Sequence, residues 1–170
     1  YPIINDENYG ELSRRMSELG STHIIETLNV IEANNTLSGK RQKESEVSYA
    51  PKLQVQDCRI NWEEKAINIC NKIRGFAPKP GAFTYFKKKR VKLLKSQLLS
   101  EYEYSTLFNV EKKEKSNYLI PGELLMTKQK IFTGTGDGIL SILELQIESK
   151  RVMSNKEFIS GYYKENANFD

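Results

Sequence analysis

A chain of 170 residues with 38% hydrophobic content can bury one good core, or one small core and part of another. No apolar run approaches the roughly 18 residues of a membrane-spanning helix and no secretory leader pattern opens the chain, so a cytosolic protein is expected. The formal charge is +4, yet residues 77–100 hold seven basic side chains and no acidic one, leaving 19 basic against 22 acidic residues elsewhere; the positive character is local.

The chain opens on Tyr1 in YPII, which reads as the end of a strand already in progress and predicts that the sequence begins in mid-protein. Leu12, Met16, Leu19, Ile24, Ile25, Leu28 and Ile31 then recur at three- and four-residue steps, predicting a helix over 9–32. Gly20 interrupts it at a cost of roughly 1 kcal/mol against alanine, so it marks a helix break or a close backbone approach. The apolar stripe needs a partner, and a sheet preceding Tyr1 is the expected one.

Residues 34–61 are polar and charged without period, a linker by composition. Lys40, Arg41 and Lys43 within it are candidate phosphate contacts, balanced by Glu44 and Glu46. Asn61 with Glu64 three residues on has the form of a capping box, and Trp62, Ala66, Ile69, Cys70 and Ile73 share a helical face that should stop at Arg74-Gly75. Pro78, Pro80 and Gly81 turn the chain into strands over 82–86 and 91–99, joined by Lys87 to Arg90.

Residues 101–117 show no sustained period and read as a loop excursion. Pro121-Gly122 predicts a turn before a strand at 123–126, and 130–136 a further strand closed by Gly136-Asp137-Gly138. In 139–147, polar residues enter only at Glu144 and Gln146 on the even positions, so its first half should be buried on both sides. Ser154 and Glu157 form another capping box, starting a short helix to about Gly161, and the tail from Lys164 should fray. Short strands, glycine turns and a flanking helix predict a mostly β domain with flanking helices, a small OB-like antiparallel barrel.

The search for catalytic chemistry is negative. His23, the one histidine, stands among apolar helix residues with no nucleophile signature around it. Glu63-Glu64 and Glu101-Glu103 fall in a capping turn and a loop, and GTGDG at 134–138 lacks the lysine and hydroxyl of a phosphate loop, so a hairpin turn is preferred. Cys58 and Cys70 form no CxxC pair and read as free thiols; no metal or cofactor site is indicated. The candidate site is basic: Lys87, Lys88, Lys89, Arg90, Lys92 and Lys95, with Arg74, Lys40 and Arg41, would neutralise phosphates, while Tyr85 and Phe86 would offer stacking surface. The competing reading is that the lysines are the solvated face of a strand and that Tyr85 or Phe86 is core.

GELSRRMSELG (10–20), YAPKL (49–53), RINW (59–62), IRGFAPKPGAFTYF (73–86), PGELL (121–125), TGTGDGILSILELQ (133–146) and KRVMSNKEFISGY (150–162) occur in an order and spacing that resembles the methionyl-tRNA formyltransferase family. The resemblance implies a Rossmann-type formyl-transfer domain ending at residues 1–35, a linker over 36–59, and an OB-like tRNA-holding domain over 60–170. It implies 10-formyltetrahydrofolate as co-substrate and initiator methionyl-tRNA as partner; a monomer is expected. The family's catalytic asparagine, histidine and aspartate lie upstream of the position matching Tyr1, so none is carried over and the chain itself is expected to be inactive. The alternatives are the barrel of another formyltransferase-fold enzyme, formyltetrahydrofolate hydrolase-type or sugar-nucleotide formyltransferase, and a standalone single-strand-binding barrel.

Overall fold

The computed structural model describes residues 1–34, 39–108, 119–162 and 168–170. Asn8 and Glu11 cap the first helix reciprocally: the Glu11 amide donates to Asn8 Oδ1 at 3.0 Å and the Asn8 amide to a Glu11 carboxylate oxygen at 2.9 Å. Helix α1, Tyr9–Asn34, then runs through Gly20 without a break. Neither role expected of that glycine is found, since a Cβ added there would meet nothing within 4 Å. No residue of α1 is buried, and Met16, Ile24, Ile25 and Leu28 are exposed, so the apolar stripe exists and faces outward.

The start of α1 is fastened to the rest of the molecule. The Gly10 amide donates to the Ala77 carbonyl at 3.0 Å, and Glu7, itself buried, is held by the Arg15 guanidinium, which donates to Glu7 Oε2 at 2.7 Å. From 39 to 57 the side chains are exposed and the backbone extended, apart from short 3-10 turns at Glu44–Glu46 and Val55–Cys58. No side chain of this stretch is buried. Cys58 ends it by burying its thiol.

Helix α2, Ala66–Phe76, begins later than a cap at Asn61 implies. Asn61 instead closes a local turn, accepting from the Glu63 amide through Oδ1 and from the Glu64 amide through its carbonyl, both at 3.2 Å. The Ala66 amide is met by Asp137 Oδ1 at 2.7 Å, a cap supplied from another part of the chain. Ala66, Ile69 and Ile73 are the buried residues of α2.

Among the described residues six antiparallel strands form the sheet: β1 Ala82–Phe86, β2 Lys89–Leu98, β3 Leu124–Met126, β4 Ile131–Gly134, β5 Ile139–Ile147 and β6 Met153–Ser154. Their order is β1-β2-β5-β4-β3, with β6 also on β5. The first four residues of β5 are buried on both sides, and its second half shows alternating exposure, as the change of pattern at Glu144 predicts. Val91, Leu93, Ile131, Leu140, Ile142 and Leu145 meet Ile69 and Ile73 of α2 in one core. This is the expected OB-like, mostly β arrangement.

Two expectations for the second half need correction. Residues 101–117 are not wholly irregular: α3, Glu101–Phe108, starts on a cap in which the Glu103 amide donates to Ser100 Oγ at 3.2 Å. The remainder, 109–117, lies outside the described residues. Helix α4, Asn155–Tyr162, starts on the expected Ser154–Glu157 box and buries Phe158 and Ile159.

The end of the tail is docked. Phe169 is buried and stacks on Trp62 with ring centroids 5.5 Å apart, and the Asp170 amide donates to the Tyr85 carbonyl at 3.0 Å. The reason is the free edge of β1, whose backbone groups need partners. Phe169-Asp170 and the Arg59-Ile60 segment supply them, the Ile60 amide donating to Phe83 at 2.8 Å. Residues 163–167 of the tail lie outside the described residues. No helix among the described residues is long and apolar enough to cross a membrane.

Candidate functional site

Side chains alternate along a strand, so the register of β1 on β2 assigns every residue of the basic hairpin to a face. Ala82, Phe86, Val91 and Leu93 point into the core, while Phe83, Tyr85, Arg90 and Lys92 share the opposite face. The joining loop is only Lys87-Lys88, with φ of 50° and 63°, a left-handed two-residue turn; Lys89 and Arg90 already stand in the ladder opposite Phe86 and Tyr85. Four consecutive cations therefore occupy two turn positions and two strand positions.

Phe86 is buried among Phe158, Tyr162 and Phe169, so it offers no stacking surface. Tyr85 is half-buried on the outer face. The aromatic residue beside it is Phe83, whose ring is covered by the Arg90 guanidinium with Cζ 3.8 Å from the centroid. Arg90 is thus held by a ring, and its Nε is buried without a hydrogen-bond partner. Lys92 is anchored too: its methylene stem lies across Gly81, where a Cβ would meet Lys92 Cδ at 2.8 Å.

The electrostatics of the hairpin are one-sided. Among the described residues, Lys88, Lys89, Arg90, Lys92 and Lys95 form no ion pair. Lys95 stands across from Glu144 in the β2–β5 register without closing a bridge. Lys87 carries its Nζ 6.0 Å from the Phe86 centroid. Five cations gathered in one hairpin without an ion pair among the described residues create a positive potential that attracts a polyanion.

The other candidates lie elsewhere. Arg74 closes α2, its Nε donating to Asn71 Oδ1 at 3.0 Å and its Nη1 reaching the Glu7 carbonyl at 3.5 Å, so it serves the joint with the N-terminal segment. Lys40 and Arg41 are exposed in the stretch between α1 and Val55; Arg41 pairs with Glu44 at 3.4 Å, and no described hydrogen bond or ion pair ties either to the hairpin. His23 is exposed and pairs with Glu26 at 3.0 Å. Among the described residues no group of three His, Cys, Asp or Glu side chains is placed to hold a metal ion.

One cation was missed in the sequence. Arg59 is exposed, with Cζ 5.7 Å from the Tyr85 ring centroid, on the outer face beside β1. The RINW motif that contains it gives no hint of this, because its pairing with Phe83 is a long-range bridge. Arg59 also forms one wall of an open cleft of about 590 Å³, whose other lining includes Gln56, Asn61, Trp62, Lys72 and Phe169.

Comparison with known proteins adds the family context. A family model described as formyl transferase, C-terminal domain, matches residues 52–163. A methionyl-tRNA formyltransferase of Thermodesulfovibrio yellowstonii is 36% identical over 93% of the chain and 46% of that relative, and one of Chlorobium limicola is 34% identical over 96% of the chain and 48% of that relative. The chain spans about half the length of the curated relatives it matches. A crystal structure of HypX from Aquifex aeolicus superposes over 98% of the chain and 28% of HypX, with a TM-score of 0.68 at 19% identity, a likeness of fold.

Proposed function

The chain belongs to the formyl transferase, C-terminal domain family, and on that premise we propose that it is the tRNA-holding C-terminal part of an enzyme that formylates initiator methionyl-tRNA. The formyl donor in this reading is 10-formyltetrahydrofolate, and the enzyme acts in translation initiation. The relatives that match nearly the whole chain carry the name methionyl-tRNA formyltransferase, which supports the substrate. The observation that carries the tRNA-binding role is the hairpin of Lys87, Lys88, Lys89, Arg90, Lys92 and Lys95, five of which have no carboxylate partner among the described residues.

In this proposal residues 1–35 close a formyl-transfer domain, 36–59 link, and 60–170 hold RNA. The outward apolar stripe of α1 supports the first assignment, since Ile24, Ile25 and Leu28 are suited to cover a further surface. Formyl transfer needs an amine, a formyl carbonyl and an oxyanion stabiliser within a few ångströms of one another. A tRNA is far larger than such a site, so contacts made at a distance orient it. Arg74, Lys40 and Arg41 are secondary contacts in this scheme, and the chain contributes no catalytic residue.

The test is formylation of charged initiator tRNA by the full-length protein. Activity that weakens through KM when hairpin cations are removed supports the assignment. Full activity on a folate or sugar-nucleotide substrate with none on methionyl-tRNA would favour a different formyltransferase-fold enzyme. The chain alone should show no turnover.

A further inference from the structure

Resting on the RNA-backbone reading of the hairpin, we propose that the Arg59–Tyr85 end of its outer face, with the adjoining cleft, is a subsite for one unpaired RNA base.

Backbone gripping needs only charge, and the turn lysines supply it. The Arg59 end is built differently. Arg59 is exposed and places its planar guanidinium over a half-buried tyrosine ring, at 5.7 Å from Cζ to centroid. Phe83 meets Tyr85 edge-on with centroids 5.9 Å apart, and Arg90 closes over Phe83, so the ring under Arg59 is braced from behind. Guanidinium planes and aromatic rings are the surfaces on which splayed-out RNA bases stack.

The cleft beside Arg59 is mixed in polarity, with the acidic residues Glu63 and Asp170 in its lining as well as Arg59 and Lys72. Its lining includes the stacked pair Trp62 and Phe169 as apolar surface. The exposed amides Gln56 and Asn61 also line it and are able to meet the donors and acceptors on a base edge. Lys72 stands in the same wall, its Nζ donating to the Arg59 carbonyl at 2.9 Å, which ties the backbone of Arg59 to α2. Arg90 and Lys92 stand opposite Tyr85 and Phe83 in the β1–β2 register, on the same face as the Tyr85 ring.

The chain is titrated with a short single-stranded oligoadenylate and with an abasic strand carrying the same number of phosphates. Three variants accompany it. Arg59→Lys keeps the charge and removes the plane at an exposed position, and Tyr85→Leu removes the ring. The subsite predicts that oligoadenylate binds the native chain about tenfold or more tighter than the abasic strand. That advantage should shrink to about twofold or less in Arg59→Lys, while the salt dependence of both strands stays as in the native chain. Equal binding of the two strands by the native chain, or an undiminished advantage in Arg59→Lys, overturns the subsite and leaves the phosphate reading standing. If neither strand nor tRNA binds, both fall together. Tyr85→Phe, which keeps the ring, should behave as native and separates loss of stacking from loss of fold.

Discussion

Asp137 Oδ1 accepts from the Ala66 amide at 2.7 Å, joining residues 71 apart in sequence. The GTGDG turn between β4 and β5 is therefore more than a hairpin: its aspartate caps α2, and the Gly136 amide donates to the Glu64 carbonyl at 3.0 Å. Asp137→Ala should destabilise the chain by about 1 kcal/mol, the usual worth of an N-cap, with Asp137→Asn close to neutral. Gly136→Ala should cost more, because its Cβ would run into the Glu63 carbonyl, which is backbone and has little room to yield. Urea denaturation of the three variants gives the ranking. Equal midpoints for Asp137→Ala and the native chain would contradict it.

The Trp62–Phe169 stack makes the tail visible to spectroscopy, since Trp62 is the one tryptophan of the chain. Phe169→Ala should cost about 3 kcal/mol or more as a core truncation and should shift Trp62 emission to longer wavelength. An unchanged spectrum would mean that the tail is not docked in solution.

Acid should weaken the Glu103–Lys130 pair, which ties α3 to the residue before β4. Hydrogen bonds from Lys130 and then from Ser100 hold Glu103 down to about 2, against an ordinary 4.5. A carboxylate depressed in the folded state contributes stability that is complete above the unfolded value and is lost as pH falls from about 4.5 through about 2. Glu103→Gln should make denaturation midpoints less dependent on pH in that window. Glu157, also held to about 2 by Ser154 and Arg151, remains as background, so the slope is reduced rather than abolished.

Much of this fold is legible because its signals are local. The β1–β2 hairpin, the β5 burial pattern and the Ser154–Glu157 cap depend on residues within a few positions of one another. The Ser100–Glu103 box is equally local, but the charge-and-aromatic sequence after it has no period to mark a helix. Three features were not legible for a physical reason. The α2 cap, the docking of Phe169 and the placement of Arg59 over Tyr85 all depend on partners far away in sequence. The basic run was readable as a charge concentration, but the division between Phe86 inside and Phe83 outside needs the strand register.

The central claim is that hairpin cations grip RNA phosphates, and the salt dependence of tRNA binding tests it most directly. The variant to compare is Lys87→Asn, Lys88→Gly, Lys89→Gln and Lys92→Gln together. Asn-Gly suits the left-handed turn, and Arg90 is kept because it packs on Phe83, so the hairpin should survive the loss of four charges. If those four side chains contact phosphates, the slope of log affinity against log salt should become shallower by roughly 3 to 4, with weaker binding at every salt concentration below the crossing. A variant that folds, binds tRNA as tightly as the native chain and keeps the native slope would show that the lysines are only the solvated face of a strand.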